Sequence, residues 1–299
     1  MIYKYSQIED KVDGFLENTN PNESTGSISI VGEVGINANG DLETAKKLID
    51  VADHCGCDYV KFQKRDPGSC VPEHKKSDMR ETPWGEIQYI DYKHKIEFEK
   101  EEFEEIDNYC SEKNMGWFSS VWDLPSVEFM QEFTDIGKIP SPHLTNDPVL
   151  KATRESFDEM IISTGMSTQK QIDHAVDISD PDVIMHSVSS YPTNVDEISL
   201  EYIKYLRESF PEKEVGYSGH EKGVVSSAAA VALGVDWVER HYTLSRDLWG
   251  SDQSLSLEPS DLKELVSNIR KVEKAMGGNK KREILPSEKS KKKSLRKDS

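Results

Sequence analysis

Eight short apolar or β-branched runs, each closing on polar residues and each followed by apolar residues at helical spacing, constrain this chain more than any other feature. They are SISIVGE (27–33), Asp58 to Gln63, Gly116 to Ser120, Ile136 to Ile139, Met160 to Ser163, Val183 to His186, Val215 to Ser218 and Asp236 to Tyr242. Behind the first run, the turn Asn37-Ala-Asn-Gly-Asp41 carries helix-start chemistry, and Leu42, Ala45, Leu48, Ile49 and Ala52 then recur on one helical face. Strict strand-then-helix alternation implies a parallel sheet, and eight such units in about 250 residues imply closure into a (β/α)8 barrel. The rival is an open doubly wound sheet, which normally has fewer strands and a G-x-G-x-x-G first turn, absent here.

The pattern divides the chain into a polar extension (1–26) without a core of its own, a barrel (27–278) and a basic tail (279–299) of disordered composition. The net charge is -18, yet residues 280–299 hold nine Lys/Arg against three Asp/Glu, so the body before them carries -24. So acidic a body disfavours nucleic acid as a partner. No apolar run approaches 18 residues, which excludes a membrane-spanning helix, and the N-terminus is too polar for a signal peptide, so a cytoplasmic location is expected. Cys55, Cys57, Cys70 and Cys110 lack zinc-ribbon or disulfide-scaffold spacing and read as free thiols. The stretch from Lys64 to Lys95, with Pro67-Gly68, Pro72 and Pro83-Trp84-Gly85, reads as a long irregular loop, functional as a lid or else mobile.

Barrel enzymes build their sites at the C-terminal rim of the strands. Strand-end positions here include Glu33, Lys61, Gln63, Ser120, Lys138, Ser141, Ser163, Ser189, Tyr191, Ser218, Glu239 and His241. Two lysines among many hydroxyls suit an anion of phosphate size. Lys61 interrupts an apolar strand, where an unpaired ammonium is costly; its plainer reading is an ion pair with an acid on a neighbouring strand. His220 and His241 close successive parallel strands, so they are expected to meet as half of a divalent metal site, with Glu239 and Asp252 near in sequence to complete or support it. The plainer reading makes both of them hydrogen-bonded structural histidines.

The segments VGEVGINANG, DYVKFQKR, IISTGMS, Tyr191-Pro192, VGYSGH, WVERHYT and WGSDQSLSLEP resemble, in order over roughly residues 28–276, the sialic acid synthases, including legionaminic and pseudaminic acid synthases. The resemblance implies a barrel that joins phosphoenolpyruvate to an N-acetylated hexose, with release of phosphate, and a homodimer is compatible with it. It implies a divalent metal on His220 and His241, typically manganese with magnesium or cobalt as alternatives, and Glu33 as the acid/base. Lys61, Ser120, Lys138, Ser141 and Ser218 match positions that hold phosphoenolpyruvate, while Gln63, Tyr191 and Asp252 match positions facing the sugar. Ser189 stands where many members carry Asn, His143 where many carry an acid, and the family's C-terminal antifreeze-like domain has no counterpart before the basic tail. An alternative is a synthase of the same chemistry acting on a phosphorylated aldose, and a second is an inactive barrel with a binding role.

Overall fold

The computed structural model describes residues 2–22, 26–277, 281 and 283–296. Eight parallel strands close into a barrel: β1 (Ser29–Gly35), β2 (Tyr59–Lys64), β3 (Gly116–Val121), β4 (Ile136–Ile139), β5 (Glu159–Ser163), β6 (Val183–Ser187), β7 (Glu214–Gly219) and β8 (Trp237–His241). Each strand pairs with its neighbours in sequence, and β8 closes on β1 in the register Ser29 with Trp237 through Glu33 with His241. All eight expected strands are present within a few residues of their expected bounds.

Alternation along the strands divides the side chains between two cores. Val31, Phe118, Ile161, Val183, Met185 and Trp237 form a cluster drawn only from strand residues, with Tyr59 and Ile136 packed against it, and so fill the barrel interior. The intervening residues, among them Ile30, Val60, Ile162, Ile184, Val215 and Val238, pack outward against helical residues such as Leu48, Ile106, Leu150, Leu206, Leu262 and Ile269. Moving two residues onward from the interior plug reaches Glu33, Lys61, Ser120, Lys138, Ser163, Ser187 and Glu239, all on the same inward face. The site is therefore the polar layer directly above an apolar one.

Three segments differ in detail from their sequence reading. Residues 2–18 form a helix (Ile2–Asn18) whose Ile8 and Val12 join the outer core. Its charged residues (Glu9, Asp10, Lys11, Asp13) mask an apolar stripe that is satisfied only by the barrel's own helices Leu42–Cys55 and Pro259–Met276. In the basic tail, Pro286–Leu295 is an exposed helix rather than a disordered run, started by Pro286 and by the Leu285 amide donating to Glu288 Oε2 at 2.8 Å. Tail residues 279, 280, 282 and 297–299 lie outside the described residues.

The irregular stretch also has structure: two single-turn helices, a hairpin (Met79–Thr82 with Gly85–Gln88) and a helix (Tyr89–Ile96). It is anchored rather than loose. Tyr92 and Ile96 pack with Ile36, and the Trp249 ring stands 5.4 Å from Tyr92 and 6.3 Å from Trp84. Gly40, at φ 69°, lets the chain at Lys95–Ile96 lie so close that a Cβ would sit on the Lys95 carbonyl oxygen. Gly40→Ala is therefore expected to destabilise the protein by about 2 kcal/mol or more, because the clash is with backbone and the dihedral is itself unfavourable. Urea unfolding with a wild-type midpoint would contradict this.

Candidate active site

The strand registers bring the inward polar residues into contact. Glu33 is opposite both Lys61 on β2 and His241 on β8, Gln63 is opposite Ser120, Ser120 is opposite Lys138, and Glu239 is opposite Ser218. Lys61 Nζ lies 2.7 Å from Glu33 Oε2 and donates to Ser120 Oγ at 2.8 Å. Lys138 Nζ donates to both oxygens of Glu239 at 2.7 Å, and Ser218 Oγ donates to Glu239 Oε1 at 3.0 Å. Both lysines and both carboxylates are at most 5% exposed.

The surrounding charges set the protonation of Glu33, Glu239 and Lys138. Burial raises the Glu33 pKa and Glu239 raises it further, which outweighs the opposing pull of Lys61. For Glu239 burial also acts upward, but Lys138 and Lys61 together overcome it and hold the carboxylate well below the usual range. Burial pushes Lys138 down to about 8 despite its bond to Glu239. Two carboxyl groups in one pocket are thus driven apart, Glu239 firmly ionised and Glu33 able to exchange a proton nearer neutrality.

Gln63 Nε2 donates to Glu33 Oε1 at 2.9 Å, and Arg65 donates to the Gln63 carbonyl oxygen, which fixes the amide's orientation. Arg65 in turn stacks over Trp122 and lies against Glu97, tying the polar layer to the base of the long excursion.

The two histidines do meet, with ring centroids 5.7 Å apart. His220 Nδ1 is bonded to the Val188 carbonyl oxygen at 2.8 Å, which leaves Nε2 as its free lone pair, while His241 Nδ1 is buried without a hydrogen-bond partner. Burial and the neighbouring imidazole lower His220 to about 4, and burial lowers His241 as well, so both rings are neutral, the form a metal requires. The pair therefore fits a divalent cation. Among the described residues no third His, Cys, Asp or Glu completes a cluster, so the remaining positions would fall to water or substrate. Glu239 is committed to Lys138 and Ser218 instead. Asp252 lies on the loop after β8, accepts from Ser251 at 2.7 Å and acts on His241 through its charge.

A cavity of about 80 Å³ opens on this layer, lined by Glu33, Lys61, Gln63, Ser120, Lys138, Ser141, Tyr191, Ser218, His220 and His241. Two of the expected residues are not brought into it. Asp252 does not line it, and Ser189 faces a neighbouring cavity of about 530 Å³, because β6 ends at Ser187 and its alternation stops there. Trp122, Ser187 and Glu239 also line the site. Glu239 was already named as a strand end, and Ser187 was discoverable as the second inward position after an interior apolar residue; Trp122, beyond the end of β3, carried no such signal. A larger cavity of about 820 Å³ opens among the loops at the opposite end, but its acids are already engaged, Asp50 by Lys113 and Tyr109, and Asp58 by Arg270.

The structure gives Lys61 the ion pair that the plainer reading required, and this alters what its loss should do. In Lys61→Met, Glu33 keeps its burial and loses its counter-charge, so its folded-state pKa rises further above the unfolded value. A raised carboxyl stabilises the fold below its unfolded pKa, and that stability is lost as pH climbs through the folded pKa. The variant's deficit against wild type, measured by urea midpoints, should therefore be larger at pH 8 than at pH 5. A gap independent of pH would refute it.

Comparison with known proteins accords with this arrangement. A family model described as the NeuB family matches residues 48–281. The N-acetylneuraminate-9-phosphate synthase of Drosophila melanogaster is 39% identical over 251 residues, covering 81% of this chain and 67% of that protein. The N,N'-diacetyllegionaminic acid synthase of Campylobacter jejuni is 35% identical over 259 residues, covering 83% and 77%. The crystal structure of an N-acetylneuraminic acid synthetase from Leptospira borgpetersenii superposes with a TM-score of 0.79 at 31% identity, covering 91% of this chain and 94% of that one. On the strength of the family match and of these identities, this chain belongs to the NeuB family.

Proposed function

We propose that this protein is a transferase that condenses phosphoenolpyruvate with an N-acylated amino sugar, forming a carbon–carbon bond and a sialic-acid-type 2-keto acid with release of phosphate. The observation that carries the reading is the buried layer in which Lys61 and Lys138, flanked by Ser120, Ser141 and Ser218, face the same small cavity as His220 and His241. One half of that layer suits a compact, highly charged anion and the other half suits a metal, and few reactions need both at one barrel mouth.

The residues divide the work by their chemistry. Lys61 and Lys138 bind the carboxylate and phosphate of phosphoenolpyruvate, with the serine hydroxyls fixing its orientation. His220 and His241 would hold a divalent cation, manganese by family resemblance, which supplies Lewis-acid polarisation of the sugar's aldehyde oxygen. Glu33, held by Lys61 and Gln63, takes a proton from the water that adds at C2 of the enolpyruvyl unit, and phosphate then departs by C–O cleavage. Gln63 and Tyr191 line the side toward the sugar, where the Tyr191 ring stands 4.3 Å from His220. Asp252 and Ser189 do not line this cavity. Relatives named for a 9-phosphate product and for diacetylated products leave two sugar classes to compare: N-acetylmannosamine with or without a 6-phosphate, and diacetamido sugars.

Phosphate release from phosphoenolpyruvate with manganese and this set of sugars is the direct test. Release with none of them would overturn the proposal. Glu33→Gln keeps the shape and a hydrogen-bonding capacity but cannot exchange a proton, so its kcat should fall by about 100-fold or more with metal content unchanged; near-normal turnover would remove Glu33 from the mechanism. His220→Ala and His241→Ala should each lose bound metal, read by metal analysis of the dialysed protein alongside thermal shift on adding manganese. A wild-type shift in both variants would argue against these ligands.

A further inference from the structure

Glu239 has a place in the site that its neighbours in sequence do not suggest. It stands two residues before His241, yet neither of its oxygens is free for a cation, since Lys138 engages both and Ser218 shares one. Strands β8 and β4 lie four places apart in a ring of eight, so Lys138 reaches Glu239 across the barrel axis rather than along the wall. Lys61 Nζ also approaches Glu239 Oε2 at 3.9 Å. Two ammonium groups therefore converge on one carboxylate directly above the apolar plug of Phe118, Met185 and Trp237.

We propose that Glu239 is a positioning residue of the anion site: it fixes the Lys138 ammonium and the Ser218 hydroxyl at the barrel axis as one preformed face for phosphoenolpyruvate. This rests on the reading that the anion is phosphoenolpyruvate. The physical need is specific. Two buried cations repel each other and each loses hydration, so without an anion between them one swings away or gives up its proton. Glu33 cannot take over, because it is occupied by Lys61 and Gln63. A carboxylate that holds Lys138 keeps its charge, and the third ammonium donor, resting on the weak thioether acceptor of Met185 at 3.3 Å, is the one an incoming anion can take. Glu239 thus acts through Lys138 and Ser218 and does not itself meet the reacting atoms.

The test is steady-state kinetics and direct phosphoenolpyruvate binding with Glu239→Gln, Lys138→Met and the double variant. Glu239→Gln should raise KM for phosphoenolpyruvate about 10- to 100-fold, the scale of losing a charged hydrogen bond, with KM for the sugar and metal content unchanged. Since Glu239 is the largest of the charges that raise the Lys138 pKa, removing the carboxylate leaves burial and Lys61 to lower it. The KM for phosphoenolpyruvate in Glu239→Gln should accordingly climb more steeply than in wild type between pH 7 and 9. The double variant should be no worse than Lys138→Met alone, and since it leaves no unpaired Lys138 cation it serves even where Glu239→Gln does not fold. A wild-type KM in Glu239→Gln, loss of metal, or additive effects in the double variant would each overturn the proposal. Wild-type protein that neither binds nor consumes phosphoenolpyruvate would instead overturn the functional reading beneath it.

Discussion

Four buried charges at the mouth of the barrel are the constraint on which the rest depends. Lys61 with Glu33 and Lys138 with Glu239 come from four different strands, two of them on opposite sides of the ring. Breaking one such pair by removing a partner costs about 3 to 5 kcal/mol, whereas an apolar replacement of both is often neutral. Stability alone would therefore favour replacing all four. Their retention above a well-packed apolar plug suits a layer kept for what it binds.

The barrel makes this layer affordable by construction. Parallel strands place every second side chain on the axis, so the same alternation that packs Val31, Phe118, Ile161 and Trp237 delivers Glu33, Ser120, Ser163 and Glu239 one step higher. Outward residues of the same strands are held by the helices, which fixes strand rotation and thereby the aim of each polar group. The excursion after β2 is bound into this frame at both ends, through Arg65 at the polar layer and through Gly40 and Trp249 beyond it.

Much of this was legible in the residues. Eight runs of the right length with helical spacing between them determined the barrel, and strand-end positions named twelve of the residues that line the cavity. The histidine pair was legible for the same reason: closing successive parallel strands forces neighbours in space. Less legible were segments whose apolar face is incomplete by itself. Ile8 and Val12 among charged residues, or Tyr92 and Ile96 in a stretch punctuated by prolines, show no core until the barrel supplies the other half.

Which partner each polar group takes was decided only in three dimensions. Sequence order puts Glu239 beside His241 and suggests a ligand, but inward alternation and ring closure carry it to Lys138 from the far side. Asp252 and Ser189 lie past the last residue of their strands, where the period of two no longer dictates direction, and neither reaches the cavity. The protonation order of the two carboxyl groups likewise follows from which lysines surround each. Periodicity is a local property of the chain and determines which face a residue takes; the closure of the barrel, a property of all eight strands at once, determines what it meets there.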